Sequence, residues 1–203
     1  MNTPEPIVFV VDDDASVREA LVSLIGSVGL RVECFASTGE FLRRSRAEGP
    51  CCLVLDVRLP GHSGLELQDD LAHSDQQIPI IFISAHGDIA MAVRAMKAGA
   101  IEFLAKPFRD EDLLEAIQQA LARDEASKAH DLEINQVRSR HARLTRRQRQ
   151  ILALLMEGKL NKQIAAELGL SENTIKVHRH RIMERMGASS VARLVHMVGM
   201  MTL

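Results

Sequence analysis

Side chains from four places in this sequence could do chemistry together if the fold brought them to one place. Asp12, Asp13 and Asp14 follow one apolar run, Asp56 closes a second, Ser84 closes a third, and Lys106-Pro107 follows a fourth. Adjacent carboxylates make a hard oxygen donor set of the kind Mg2+ takes, with few protein ligands and several waters. A carboxylate such as Asp56 can act as a nucleophile and form an aspartyl phosphate. A lysine ammonium neutralises phosphoryl oxygens as a point charge, and a serine hydroxyl can follow the phosphoryl group without adding charge. Taken singly, each piece is ordinary, because an acidic pair commonly ends a solvated strand and Lys-Pro commonly makes a turn. Their joint meaning depends on the elements that carry them.

Those elements are short β-rich runs alternating with helical periodicity. Ile7–Val11 reads as a strand buried on both faces, and Arg31–Cys34, Cys52–Leu55, Ile80–Ile83 and Ile101–Leu104 read as four more. The first helix carries apolar Val17, Leu21, Leu24, Ile25 and Val28 and stops at Gly29. Further helices fill Thr38–Ala47, Gly64–Ala72, Asp88–Ala98 and the stretch from Asp110 onward. Five strands alternating with five helices predict an α/β, doubly wound, five-stranded parallel sheet covered on both faces. Asp12-Asp13, Asp56, Ser84 and Lys106 then all fall at the carboxyl edge of the sheet, where sites of such folds form.

Composition narrows the class. The chain has 203 residues, 46% hydrophobic and 26% charged, and lacks Trp and Tyr, so packing rests on aliphatic side chains and Met. No apolar run approaches the roughly 20 residues that span a bilayer, and the first residues lack the basic and apolar regions of a secretory signal. A cytoplasmic protein without a membrane partner is expected. Cys34, Cys51 and Cys52 are odd in number, two of them adjacent, which suits small core residues better than a disulfide framework. The net charge of −2 divides unevenly: about −9 over residues 1–120, about +1 over 121–143 and about +6 over 144–203. An acidic front and a basic back predict two domains, the second with a nucleic-acid partner. Residues 121–143 are polar without Pro or Gly, which predicts a helical linker, broken at most once, rather than a loose tether.

The segments VVDDDASVRE, LVLDVRLPGHSGLEL, IFISAHGD and GAIEFLAKPF resemble the loops of response-regulator receiver domains of the CheY-like fold, over residues 7–120. The resemblance implies that Asp56 is the phosphoacceptor and that Asp13, Asp56 and the backbone carbonyl of Arg58 bind Mg2+, with Asp12 supporting. It makes Ser84 and Phe103 a switch pair, although Phe103 taken by position alone reads as a core aromatic. It gives Lys106 the phosphate contact and makes the Lys106-Pro107 bond cis. Arg58 and His86 vary among receivers and are expected to tune the lifetime of the aspartyl phosphate.

The second motif lies in Asn161–Met186. Lys162–Leu168 reads as a short helix, Gly169 as the turn, and Ser171 as the N-cap of the next helix. There Ile175, His178, Ile182 and Met186 share an inward face, while Asn173, Lys176, Val177 and His180 share an outward one able to enter a major groove. Arg179, Arg181 and Arg185 flank that face and suit phosphate contacts. LTRRQRQIL followed by GKLNKQIAAELGLSENTIKVHRHRIMERMGASSVARLV resembles the four-helix LuxR-type helix-turn-helix of NarL/FixJ regulators, over residues 144–203. The resemblance implies base contacts at Lys176 and Val177 and phosphate contacts at Thr174 and Lys162. It also implies dimer contact through a Val191/Leu194/Val195/Val198 stripe, for which core packing is the competing reading. Gln148 departs from the family's usual Glu, which puts a structural ion pair in doubt.

The expected organisation is a receiver at 1–120, a helical linker at 121–143 and an all-α DNA-binding domain at 144–203. The expected function is a two-component response regulator, a transcription factor and not an enzyme. A cognate sensor histidine kinase phosphorylates Asp56, the receiver forms a homodimer, and the paired C-terminal domains bind promoter DNA, with RNA polymerase as a further partner. An aspartate-dependent phosphohydrolase is the rival, but it normally needs a second Asp two residues after the nucleophile, where Arg58 stands. A regulator whose receiver only mediates protein contact is a second rival.

Overall fold

Ile7–Val11 (β1) is buried along its whole length, as a strand covered on both faces must be. It lies inside a parallel sheet of order β2-β1-β3-β4-β5, with β2 at Arg31–Phe35, β3 at Cys51–Asp56, β4 at Ile80–Ser84 and β5 at Glu102–Ala105. The computed structural model describes residues 5–45, 47–74, 77–85 and 89–201. The chain divides into two units, Met1–Lys128 and Ala129–Leu203.

In the first unit the two-residue period of each strand sorts side chains between two cores. Phe9, Val11, Leu53, Leu55 and Phe82 pack with Phe41, Leu67 and Ala95 from α2 (Thr38–Leu42), α3 (Gly64–Ala72) and α4 (Ile89–Lys97). Val8, Val10, Val54, Ile81 and Ile83 pack with Leu21 and Ile25 of α1 (Ala15–Ser27) and with Leu113 and Ile117 of α5 (Asp110–Ala142). A one-residue slip would exchange the two sets, so burial on both faces holds the register. The chain runs from β1 to β2 on one side and returns to β3 on the other. The β1/β3 edge is therefore the point where winding reverses and where a crevice opens at the carboxyl ends.

Strand and helix ends shift by a residue or two from those predicted, but one difference is larger and has a physical cause. The second helix stops at Leu42 instead of Ala47. Arg43 and Arg44 donate their amides to Glu40 and Phe41 in tight final turns, and the Arg44 guanidinium lies 3.7 Å from the Phe41 ring centroid and 4.6 Å from that of Phe9. The helical reading of residues 121–143 needs no break, because α5 runs unbroken for 33 residues. In the first unit Asp124, buried, accepts from the Cys51 amide at 2.7 Å and pairs with Lys128 at 2.8 Å.

The second unit packs α6 (Arg146–Met156), α7 (Asn161–Leu168), α8 (Glu172–Met186) and α9 (Val191–Gly199) around Ile151, Ile164, Ile175, Ile182, Met186 and Leu194. Val137 from the end of α5 belongs to this same core. Leu194 is fully buried while Val191 and Val195 are about half exposed, so the proposed α9 stripe is split and Leu194 is a core residue. Among the described residues no helix is long and apolar enough to cross a membrane.

Candidate functional site

Three strand ends and one loop build the acidic site. β1 delivers Asp12 and Asp13, and β3 delivers Asp56 as its last residue; one oxygen of each lies within 4.8 Å of the others. Asp12 and Asp56 are buried and Asp13 is exposed. Such a cluster of carboxylate oxygens, open to water on one side, fits the donor set and hydration of Mg2+.

A cation is already supplied by the protein. The Lys106 Nζ lies 2.8 Å from Asp12 Oδ2 and 3.7 Å from Asp56 Oδ1. Burial pushes the Asp56 carboxyl above its usual range; Lys106 opposes this, and Asp12 and Asp13 add to it. Ser84, 1% exposed, closes β4, and its carbonyl accepts from the Lys106 amide at 2.8 Å. The Lys106-Pro107 bond is cis. Phe103 is partly buried, its ring 6.2 Å from that of Phe82 and packed on the α2–α3–α4 core. Arg58 is exposed just beyond β3, and His86 lies outside the described residues.

Three contributions were not read from the sequence: the capping role of Asp14, and any part for Arg18 or Gly64. Asp14 caps α1, accepting from the Ser16 amide at 2.8 Å and hydroxyl at 2.6 Å, which lowers its carboxyl below the usual range. Arg18 turns back from α1 and donates to the carbonyls of Asp12 at 2.7 Å and Asp13 at 3.0 Å. Gly64 sits so close to the acceptor strand that a Cβ there would lie 2.3 Å from the Asp56 carbonyl oxygen. A sequence signal that could have drawn attention to the α3 N-terminus is the spacing of Ser63 and Glu66, three residues apart, whose capping box forms in both halves.

In the second unit Gly169, with φ +64°, turns the chain between α7 and α8, and Ser171 caps α8 by accepting from the Thr174 amide at 3.1 Å. Ile175, Ile182 and Met186 are buried and His178 is half-buried, whereas Asn173, Lys176, Val177, His180 and Arg181 are exposed. Lys162 is exposed on α7 and Thr174 is half-buried. Arg179 is half-buried and donates to Asn161 Oδ1 at 2.5 Å. Arg185 bonds instead to Gln148 Oε1 at 2.8 Å and to the Arg143 carbonyl. The contact that an ion pair would make is thus kept by a neutral acceptor, and Gln148 also accepts from the Thr145 amide at 3.0 Å.

Comparison with known families follows this two-part anatomy. Residues 8–118 match the response regulator receiver domain, and residues 142–198 match the bacterial regulatory proteins of the luxR family. The chain belongs to the response regulators. It is 51% identical over 195 residues to the response regulator protein TmoT of Ectopseudomonas mendocina, covering 96% of this chain and 89% of that one. It is 40% identical to the transcriptional regulatory protein FixJ of Azorhizobium caulinodans, over 96% and 92% of the two chains. Among solved structures it resembles response regulator StyR at 51% identity and a TM-score of 0.85, covering 96% and 98% of the two chains. Full-length FixJ from B. japonicum matches at 35% identity and a TM-score of 0.57, over 98% of each chain. Response regulators with this pair of domains are DNA-binding transcriptional regulators and not enzymes, which removes the phosphohydrolase reading.

Proposed function

We propose that this response regulator is switched by phosphorylation of Asp56 by a sensor histidine kinase, and that the phosphorylated receiver dimerises and brings paired α8 helices to promoter DNA. The observation that carries the reading is the approach of Lys106 to 3.7 Å from a buried Asp56 carboxylate beside Asp12 and Asp13. Asp56 is the nucleophile, and Lys106 holds an incoming phosphoryl oxygen. Asp13, Asp56 and the Arg58 carbonyl would hold Mg2+, with Asp12 tying the pocket to Lys106. When bound, Mg2+ supplies positive charge against the phosphoryl oxygens and the carboxylates. The new group adds about −1.5 to −2 charges, toward which Ser84 turns while Phe103 moves into the space behind it. Arg58 lines the approach of the hydrolytic water.

Two exposed apolar faces support association with a second copy. Ile89, Val93 and Met96 form an outward stripe on α4, at 85%, 45% and 44% exposure. Val191 and Val195 do so on α9. On DNA, Asn173, Lys176, Val177 and His180 face the bases, while Lys162, Thr174, Arg179 and Arg181 face phosphates. The functional boundaries are a receiver at 1–120, a linker at 121–143 and a DNA-binding domain at 144–203. RNA polymerase is the downstream partner, and the site of action is the cytoplasm.

The test combines acetyl phosphate, Mg2+ and promoter DNA. The parent chain should label once, dimerise and bind DNA more tightly; Asp56→Ala should do none of these. Retained one-to-one labelling of Asp56→Ala would remove Asp56 from the role. Equal DNA affinity with and without the donor would favour a receiver that only mediates protein contact.

A further inference from the structure

Asp12 and Asp13 offer side chains of unequal security. The Asp12 carboxylate is tied at both oxygens, Oδ1 accepting from the Asp14 amide at 2.9 Å and Oδ2 from Lys106 at 2.8 Å. Among the described residues no hydrogen bond or ion pair holds the exposed Asp13 carboxylate. Its direction therefore depends on its backbone, and one side chain grips that backbone. The Arg18 Nη1 donates to the carbonyls of Asp12 and Asp13 together, at 2.7 and 3.0 Å, and so restrains two successive peptide planes.

Helix stability does not explain an arginine there. Arg18 stands just past the first turn of α1, where a cation opposes the helix dipole; the acidic N-cap Asp14 is engaged by Ser16, and among the described residues no ion pair joins it to Arg18. Nor does an attraction for the metal explain it, since a guanidinium beside a divalent-cation site repels the ion. We infer that Arg18 is a positioning residue for the metal site, holding the Asp12-Asp13 backbone so that the Asp13 carboxylate points at Mg2+. This rests on the proposed Mg2+ reading of the acidic cluster. It predicts an effect of opposite sign to simple electrostatics: removing the positive charge weakens Mg2+ binding instead of strengthening it.

The test is calorimetric titration of Mg2+ into the full chain without a phosphoryl donor, for the parent, Arg18→Met and Arg18→Lys. Arg18→Met should raise the Mg2+ dissociation constant about tenfold, the lower end of what partners just outside a metal's ligands contribute. Arg18→Lys should fall between it and the parent. The labelling defect of Arg18→Met with acetyl phosphate should be relieved by raising Mg2+. A dissociation constant in Arg18→Met equal to or below the parent's overturns the inference, whatever its melting temperature. If Arg18→Met does not fold, Arg18→Lys decides on the same criterion. A parent chain that binds no Mg2+ would instead overturn the metal reading itself, a result distinct from equal binding by parent and variants.

Discussion

Gly64→Ala tests whether the acceptor strand and α3 are locked together as closely as the backbone indicates. The added Cβ would meet the Asp56 carbonyl oxygen at 2.3 Å, the Asp56 carbonyl carbon at 3.2 Å and Leu55 Cγ at 3.1 Å. Restoring ordinary contact with the oxygen needs an opening of about 1 Å, and the obstructing atom is backbone, so no rotamer change relieves it. Neither side yields easily. Asp56 is held by β4 through the bond from the Val57 amide to the Ile83 carbonyl at 3.1 Å. α3 is held by the Ser63–Glu66 capping box, by the bond from the Gly64 amide to the Val57 carbonyl at 3.0 Å, and by buried Leu65 and Leu67. Overpacking of this kind costs about 1–3 kcal/mol. A displacement of about 1 Å at a reacting carboxylate can slow its chemistry about a hundredfold.

The assay is the rate of Asp56 labelling by acetyl phosphate with Mg2+, alongside the melting temperature. Gly26→Ala is the matched control, because nothing lies within 4 Å of its added Cβ and alanine is favoured over glycine in a helix by up to about 1 kcal/mol. The control should melt no earlier and label normally. Gly64→Ala should melt earlier and label far more slowly. Parental labelling and melting in Gly64→Ala would refute the argument, because the two segments would then be able to part without disturbing the acceptor.

Gln148→Ala should destabilise the C-terminal unit by about 2 kcal/mol, since it removes the capping-box acceptor and the partner of Arg185 together, and Gln148→Glu should not. Hydrogen exchange of α6 and α8 amides checks this, and unchanged protection in Gln148→Ala would contradict it. Val93→Glu should leave the monomer within about 0.5 kcal/mol of the parent's stability, because the side chain is half exposed, yet prevent association after phosphorylation. Light scattering would count against the α4 face if the phosphorylated variant still dimerises. Burial pushes all three thiols up, so at neutral pH each is protonated; half-buried Cys34 should alkylate slowly and Cys51 and Cys52 only on unfolding. Rapid native modification of Cys51 would show that the start of β3 opens.

The sheet was legible because burial on both faces writes itself into continuous apolar runs such as Ile7–Val11, and because turns and caps mark the intervals. The carboxyl-edge residues were legible for the same reason: a residue that ends a buried strand has only one place to be. What escaped depends on contacts that no local pattern encodes. The second helix ends early because Arg44 finds the rings of Phe41 and, from β1, Phe9. Leu194 and Val195 are neighbours of the same chemical kind, and only the packing of α9 on its core separates the buried one from the exposed one. Gly64 reads only as the first residue of the third helix, and its φ is not in the left-handed region; what it provides is a missing Cβ opposite Asp56. Arg18 looks like one more charge on an amphipathic helix until its guanidinium is seen on two carbonyls.

On the proposed reading, the position of the readout face follows from the way β4 and β5 share the site. Ser84 ends β4, and Lys106 follows β5, its amide bonded to the Ser84 carbonyl, so the two groups that meet the phosphoryl oxygens are already joined through their backbones. Two residues before Ser84 is Phe82, and three before Lys106 is Phe103; these partners in the ladder also have neighbouring rings. Lys106 is engaged with Asp12 before any phosphoryl group arrives, and an acceptor that gains a further charge competes for that ammonium. Any redistribution of Lys106 and Ser84 is therefore felt first along β4 and β5. The aromatic there with room to move is Phe103, which is only partly buried, since Phe82 is fully enclosed. α4, which packs against β5 and carries the exposed Ile89, Val93 and Met96, is the surface that such a movement must reshape.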